Sequence, residues 1–194
     1  MSEDRRLISS EKYFGDLDWH NKQFVGPGEF FTSDDPDVMI VAETSDGVII
    51  AIYDPEVSIG GLTHILLPKN LLDNFKDLQK VGDDELNPII DPLTRLVEEL
   101  YEKGAGKEQL FVRLVGGSSI RQDVLDTNIK NIVFYQKQIF ERGLKIITRD
   151  IGGDHCRRIH FMPTNGRIDK YPLRRNADRD ALQAREREFL DKYY

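Results

Sequence analysis

The chain has 194 residues, 39% hydrophobic and 31% charged, with one cysteine and a net charge of −7, enough for one domain with a substantial core. The acidic balance argues against a general nucleic-acid binder, whose phosphate contacts need a basic face. No stretch approaches the ~20 apolar residues of a membrane span, the start MSEDRRLISSEKYF has no apolar leader, and the lone Cys156 excludes an intrachain disulfide framework; the expectation is a cytoplasmic protein with no membrane insertion.

Residues 1–24 are polar and read as a loose arm. The stretch VGPGEFFTSDDPDV (25–38) is rich in turn formers. Val38–Ala42 and Val48–Tyr53 are β-branched runs that predict buried strands, with Ser45-Asp46-Gly47 as a tight turn between them. Leu62–Leu67 predicts a third strand, ended by Pro68. Residues 69–88 are amphipathic but interrupted, with Gly82 and Pro88 near their end. Leu93, Leu96, Val97, Leu100 and Tyr101 recur at helical spacing before a cap at Gly104.

Gln109–Val115 predicts a strand running into Gly116-Gly117. Ile129, Ile132, Val133, Gln136, Ile139 and Phe140 predict the buried stripe of a second helix that stops before Gly143. Strands follow at Leu144–Thr148 and Arg158–Met162, and Asn165-Gly166 predicts a hairpin into Arg167–Tyr171. The tail, ADRDALQAREREFLDK (177–192), is a charged helix with Arg187/Asp191 and Glu188/Lys192 pairs, read as a solvated face. The order of elements points to one α+β or mixed α/β domain.

His64 stands alone in an apolar strand after Gly60-Gly61. Local physics leaves it open between a packed core histidine and a catalytic base. Cys156, near His155, Arg157 and Arg158, is a conceivable nucleophile for His64, although a chance small residue in a loop is the favoured reading. His155, Cys156 and His160 match no established metal spacing. Gly116-Gly117 and Gly152-Gly153 read as strand-end turns and form neither a dinucleotide fingerprint nor a P-loop. No cofactor is expected and no metal site is assigned.

The ordered set GPGEFF (26–31), AIYDP (51–55), GGLTHILLP (60–68), YEKGAGKEQLFVRLVGG (101–117), NIKN (128–131), LKIITRDIGG (144–153) and RRIHFMPTNGRI (157–168) resembles the CheD family of chemoreceptor glutamine deamidases. The resemblance runs from about Val25 to Tyr171. It implies a single-domain layered α/β sandwich with mixed sheets over 25–171, similar to the deamidase domain of cytotoxic necrotizing factor toxins. An arm (1–24) and a helical C-terminal extension (172–194) flank that domain. The family uses a Cys-His pair to convert receptor glutamines to glutamate, and His64 matches the base in its Gly-Gly-x-x-His-x-x-Leu-Pro motif.

The same resemblance puts the nucleophile in doubt. Counted back from Tyr53-Asp54-Pro55 without a gap, the family cysteine falls at Gly47, and the family threonine at Val41 or Ala42. The expectation is therefore a catalytically degenerate chemotaxis protein that acts by binding methyl-accepting chemotaxis receptors or a CheC-type phosphatase. The alternative is an active amidohydrolase with a relocated nucleophile, Cys156 or Ser45, working with His64.

Overall fold

The computed structural model describes residues 21–68, 83–118 and 125–193. Among them the elements run β1 (Asn21–Phe24), β2 (Phe30–Ser33), β3 (Val38–Thr44), β4 (Val48–Asp54), β5 (Ile59–Ile65), α1 (Asp83–Glu102), β6 (Phe111–Gly116), α2 (Leu125–Glu141), β7 (Lys145–Ile151), β8 (Cys156–Met162), β9 (Arg167–Leu173) and α3 (Asn176–Tyr193). The strands form two sheets, one ordered β1-β3-β8-β9 and the other β2-β5-β4-β6-β7. Each is mixed: β1 pairs with β3 and β6 with β7 in parallel, and the remaining pairs are antiparallel. The α+β class with layered mixed sheets thus holds.

Side-chain alternation builds the layers. Ile40, Ala42, Ile159 and Phe161 from the first sheet meet Ile49, Ala51, Leu62 and Val115 from the second in one apolar cluster. The opposite face of the second sheet carries Val48, Ile50, Ile52, Val112 and Leu114, which pack under α1 and α2. The central strands of that sheet are therefore covered on both faces, which explains why β4 reads as an unbroken apolar run. Burying each such side chain contributes roughly 1.5–3 kcal/mol.

Helix α1 turns Ile89, Leu93, Leu96, Val97 and Leu100 inward. It ends at Gly104 (φ 100°), where the Gly104 N–H donates to Tyr101 O and the Ala105 N–H to Leu100 O, a Schellman closure. The helix begins earlier than its apolar spacing indicates, at Asp83, and passes through Pro88 and Pro92, each of which removes an intrahelical hydrogen bond. Residues 69–82 of the interrupted stretch lie outside the described residues.

Helix α2 corrects the predicted stripe. Among its described side chains Phe134, Tyr135, Gln138 and Ile139 are buried, whereas Val133 and Phe140 face outward, Phe140 at 81% exposure; the predicted Ile129 lies outside the described side chains. The apolar band is wide enough for two rotations, and the edge-to-face Phe134–Tyr135 pair goes to the core. Two strands escaped the sequence reading: β1, inside the segment read as an arm, and β2, inside the turn-rich stretch. No described helix is long and apolar enough to cross a membrane.

Candidate functional site

Residues 45–47 are where the chain leaves the first sheet at Thr44 and enters the second at Val48. The turn expected there is a crossing between sheets, not a hairpin. Its carbonyls are taken: the Gly117 N–H donates to Gly47 O (2.8 Å), and both the N–H and the hydroxyl of Ser118 donate to Ser45 O (2.9 and 2.7 Å). The Thr44 hydroxyl also donates to Gly47 O, at 2.7 Å. A β-carbon on Gly116 would meet Gly47 O at 2.4 Å, so the glycine there permits this close approach. The crossing is thereby held with its N–H groups turned away from either ladder.

Those N–H groups hold a carboxylate. Glu186 of α3 accepts from Ser45 N–H (2.9 Å, Oε1), Asp46 N–H (2.9 Å, Oε2) and, at 3.4 Å, Gly47 N–H. The Thr44 hydroxyl lies 3.3 Å from the same Oε1. Successive N–H groups turned to one side form an anion-binding concavity. Burial alone would push the Glu186 carboxyl up, but the His64 imidazole and the Ser45 and Asp46 N–H groups outweigh it and hold it below the ordinary glutamate value.

His64 sits on β5 opposite Ile49, fully buried between the sheets. Its Nε2 is 3.3 Å from Glu186 Oε1, an ion-pair distance without hydrogen-bond alignment, and Nδ1 has no hydrogen-bond partner among the described residues. Gly60 and Gly61 lie within β5 and do not turn the chain. A β-carbon at Gly60 would meet Pro163 O at 2.4 Å, and one at Gly61 would meet Phe31 O at 2.6 Å. They allow neighbouring segments to close over the strand.

Gly47 and His64 are brought together. A β-carbon built on Gly47 would lie 2.4 Å from His64 Nε2 and 3.0 Å from Leu66 Cγ. Ile49, two residues on, pairs with His64, so Gly47 and His64 are diagonal neighbours on one face.

Neither expected threonine position supplies a hydroxyl to the cradle: Val41 packs with Met39 and Met162 on the far face of the first sheet, and Ala42 packs between the sheets. The hydroxyl at the cradle comes from Thr44.

Cys156 is fully buried. Burial pushes its thiol up, Glu186 adds to the rise, and the Ser45 hydroxyl beside it pulls the other way. The thiol is thus held neutral, the reverse of an activated nucleophile. His155 is half-exposed beside Asp154, and no group of three or more metal-ligating side chains occurs among the described residues.

Sequence reasoning missed Glu186. The tail read as a solvated charge run buries Leu182 and Glu186. Phe189 lies so close to Gly28 that a β-carbon there would meet Cζ at 2.4 Å. The signal was a stripe at i, i+4 and i+7 within the charges. Arg185, on the same side, donates to Glu43 Oε2 at 2.5 Å, and Glu43 also accepts from Arg158.

The family described as CheD chemotactic sensory transduction matches residues 91–170. The chain is similar to a probable chemoreceptor glutamine deamidase CheD of Rhodopseudomonas palustris (strain BisA53), with 26% identity over 171 residues, 87% of this chain and 76% of that protein. It is likewise similar to a probable chemoreceptor glutamine deamidase CheD of Rhizobium meliloti (strain 1021), with 26% identity over 165 residues, 85% of this chain and 87% of that protein. Among solved structures it is similar to YlmD from Geobacillus stearothermophilus, at 13% identity and a TM-score of 0.40, covering 76% of this chain and 61% of that one.

Proposed function

We propose that the chain is a catalytically silent member of the CheD family, working in a cytoplasmic chemotaxis system, a reading supported by the family match over residues 91–170 and by the similarity to probable chemoreceptor glutamine deamidases. In this reading the former active site serves to bind chemoreceptors or a CheC-type phosphatase. The observation that carries the reading is Gly47: at the place matched to the nucleophile, beside His64, the chain has no side-chain atom with which to form an acyl intermediate. The N–H cradle at residues 45–47, placed where an oxyanion would be stabilised, is filled by the Glu186 carboxylate.

Relocation of the nucleophile finds little support. The Cys156 thiol is pushed up rather than ionised. The Ser45 hydroxyl faces Asp46 and Gln183, both at 3.4 Å. His64 makes no hydrogen bond to either residue.

The test is mass spectrometry of a receptor helix peptide containing the modifiable glutamines, incubated with the purified chain. The expected outcome is no conversion of glutamine to glutamate. Conversion that is abolished by His64→Ala would overturn the reading.

A further inference from the structure

We propose that the His64 pocket is a binding site for a carboxylate presented by a helix, and that α3 is its resident ligand. A partner entering the pocket would then bring a helix with an acidic side chain, an aliphatic residue one turn before it and an aromatic residue one turn after it. This rests on reading the pocket as a former active site retained for binding.

The cradle has anchors besides its occupant. Ser118 holds the carbonyl of Ser45, which shares a peptide plane with the Asp46 N–H, and Gly117 holds the carbonyl of Gly47 at the end of the crossing. His64 adds a fully buried imidazole beside the same carboxylate oxygen, with its other nitrogen unpartnered among the described residues.

The occupant is held at few points. Of the residues of α3 only Leu182 and Glu186 are buried, with Phe189 against Gly28 and Arg185 at the rim on Glu43. Beside it lies an open groove of ≈ 1040 Å³ lined by Val25, Pro27, Val41 and Ile89, with Leu182 and Phe189 of α3 also in its lining. The Leu182-Glu186-Phe189 stripe is the recognition pattern itself. A tethered ligand faces its pocket at an effective concentration on the order of millimolar. Its occupancy lowers the apparent affinity of any outside ligand by the fraction of time the pocket stands empty.

The test uses the full chain carrying Leu182→Ser, Glu186→Ala and Phe189→Ser together, which undocks α3 without removing it. The probe is a fluorescent peptide of residues 176–194, with and without Glu186→Ala in the peptide, read by anisotropy. The undocked chain is expected to bind the natural peptide at least about tenfold more tightly than the wild-type chain does, and the altered peptide at least about tenfold more weakly than the natural one. Equal binding by both chains, or indifference to the glutamate, overturns the proposal. So does a triple variant that cannot fold, because α3 would then be an integral part of the domain.

A second arm reads the cradle alone. Acetate, the fragment removed by Glu186→Ala, should raise the melting temperature of that single variant, whereas acetamide should not, and the wild type should respond to neither. Equal effects of acetate and acetamide overturn the carboxylate assignment. None of these readouts involves deamidation. A chain that releases ammonia yet binds the peptide as expected would sink the silent-site reading alone.

Discussion

Gly47, in the crossing before β4, lies so close to His64 of β5 that a β-carbon on Gly47 would lie 2.4 Å from Nε2 of the imidazole. Gly47 is not among the glycines with positive φ, which removes the backbone objection to a side chain there. The obstacle is the ring. In Gly47→Cys the imidazole must move, at a cost of about 1–3 kcal/mol for overpacking. The Glu186 carboxylate beside the new thiol opposes its ionisation, as it does for Cys156. Thiol labelling should therefore be slow in Gly47→Cys and faster in Gly47→Cys/Glu186→Gln. Equal rates would show that the carboxylate does not govern the site.

The Glu186 carboxyl has a folded value below the ~4.3 of an unfolded glutamate. The sign follows: its contribution is complete above that pH and is lost as pH falls through the folded value. Denaturant midpoints should drop in acid for the wild type, with a shallower drop for Glu186→Gln. Near neutral pH, Glu186→Ala should cost about 1–3 kcal/mol, because it leaves the N–H groups of Ser45 and Asp46 unsatisfied.

His160 titrates in a different window. Burial first, then the Arg158 charge, lowers it from 6.5 to about 4. It folds neutral, so an unfolded chain takes up its proton earlier. Its contribution is whole above pH 6.5, falls as pH drops, and is gone near 4. The stability–pH curve of His160→Gln should be flatter across that window than that of the wild type. Parallel curves would count against this assignment.

Glu43 accepts from two arginines of unequal burial. The Arg158 side chain is 10% exposed and that of Arg185 40%. Arg158→Ala strips a nearly buried partner and should cost about 3 kcal/mol, whereas Arg185→Ala removes a more exposed one and should cost about 1 kcal/mol or less. Urea denaturation of the two variants measures the ratio, and a reversed order would mean that α3 is fastened mainly through Glu43.

The strands other than β1 and β2 were legible because their residues carry a local signal. Val48–Tyr53 is apolar without interruption, since both faces of its strand are covered, and Asn165-Gly166 announces its hairpin through Gly166 at φ 67°. Helix caps at Gly104 and Gly143 were legible for the same reason. The rotation of α2 was not, because Ile132, Val133, Phe134 and Tyr135 offer apolar side chains in several directions and only packing chooses among them. His64 and Gly47 could be brought together through the resemblance. Glu186 could not, because an acidic residue in a charged helix looks the same whether it meets water or three backbone N–H groups far away in the chain.

The crossing at residues 45–47 joins the fate of the pocket to that of the whole sandwich. One wall belongs to the first sheet, His64 to the second, and the carbonyl anchors to the loop after β6. Neither sheet makes the pocket alone, so it exists only while both are stacked in register. An occupant that prefers the assembled pocket raises the free energy of global unfolding, rather than tightening one loop, by an amount set by its concentration relative to its dissociation constant. Occupancy would then be read in amide exchange along the whole of core strands such as β4 and β8.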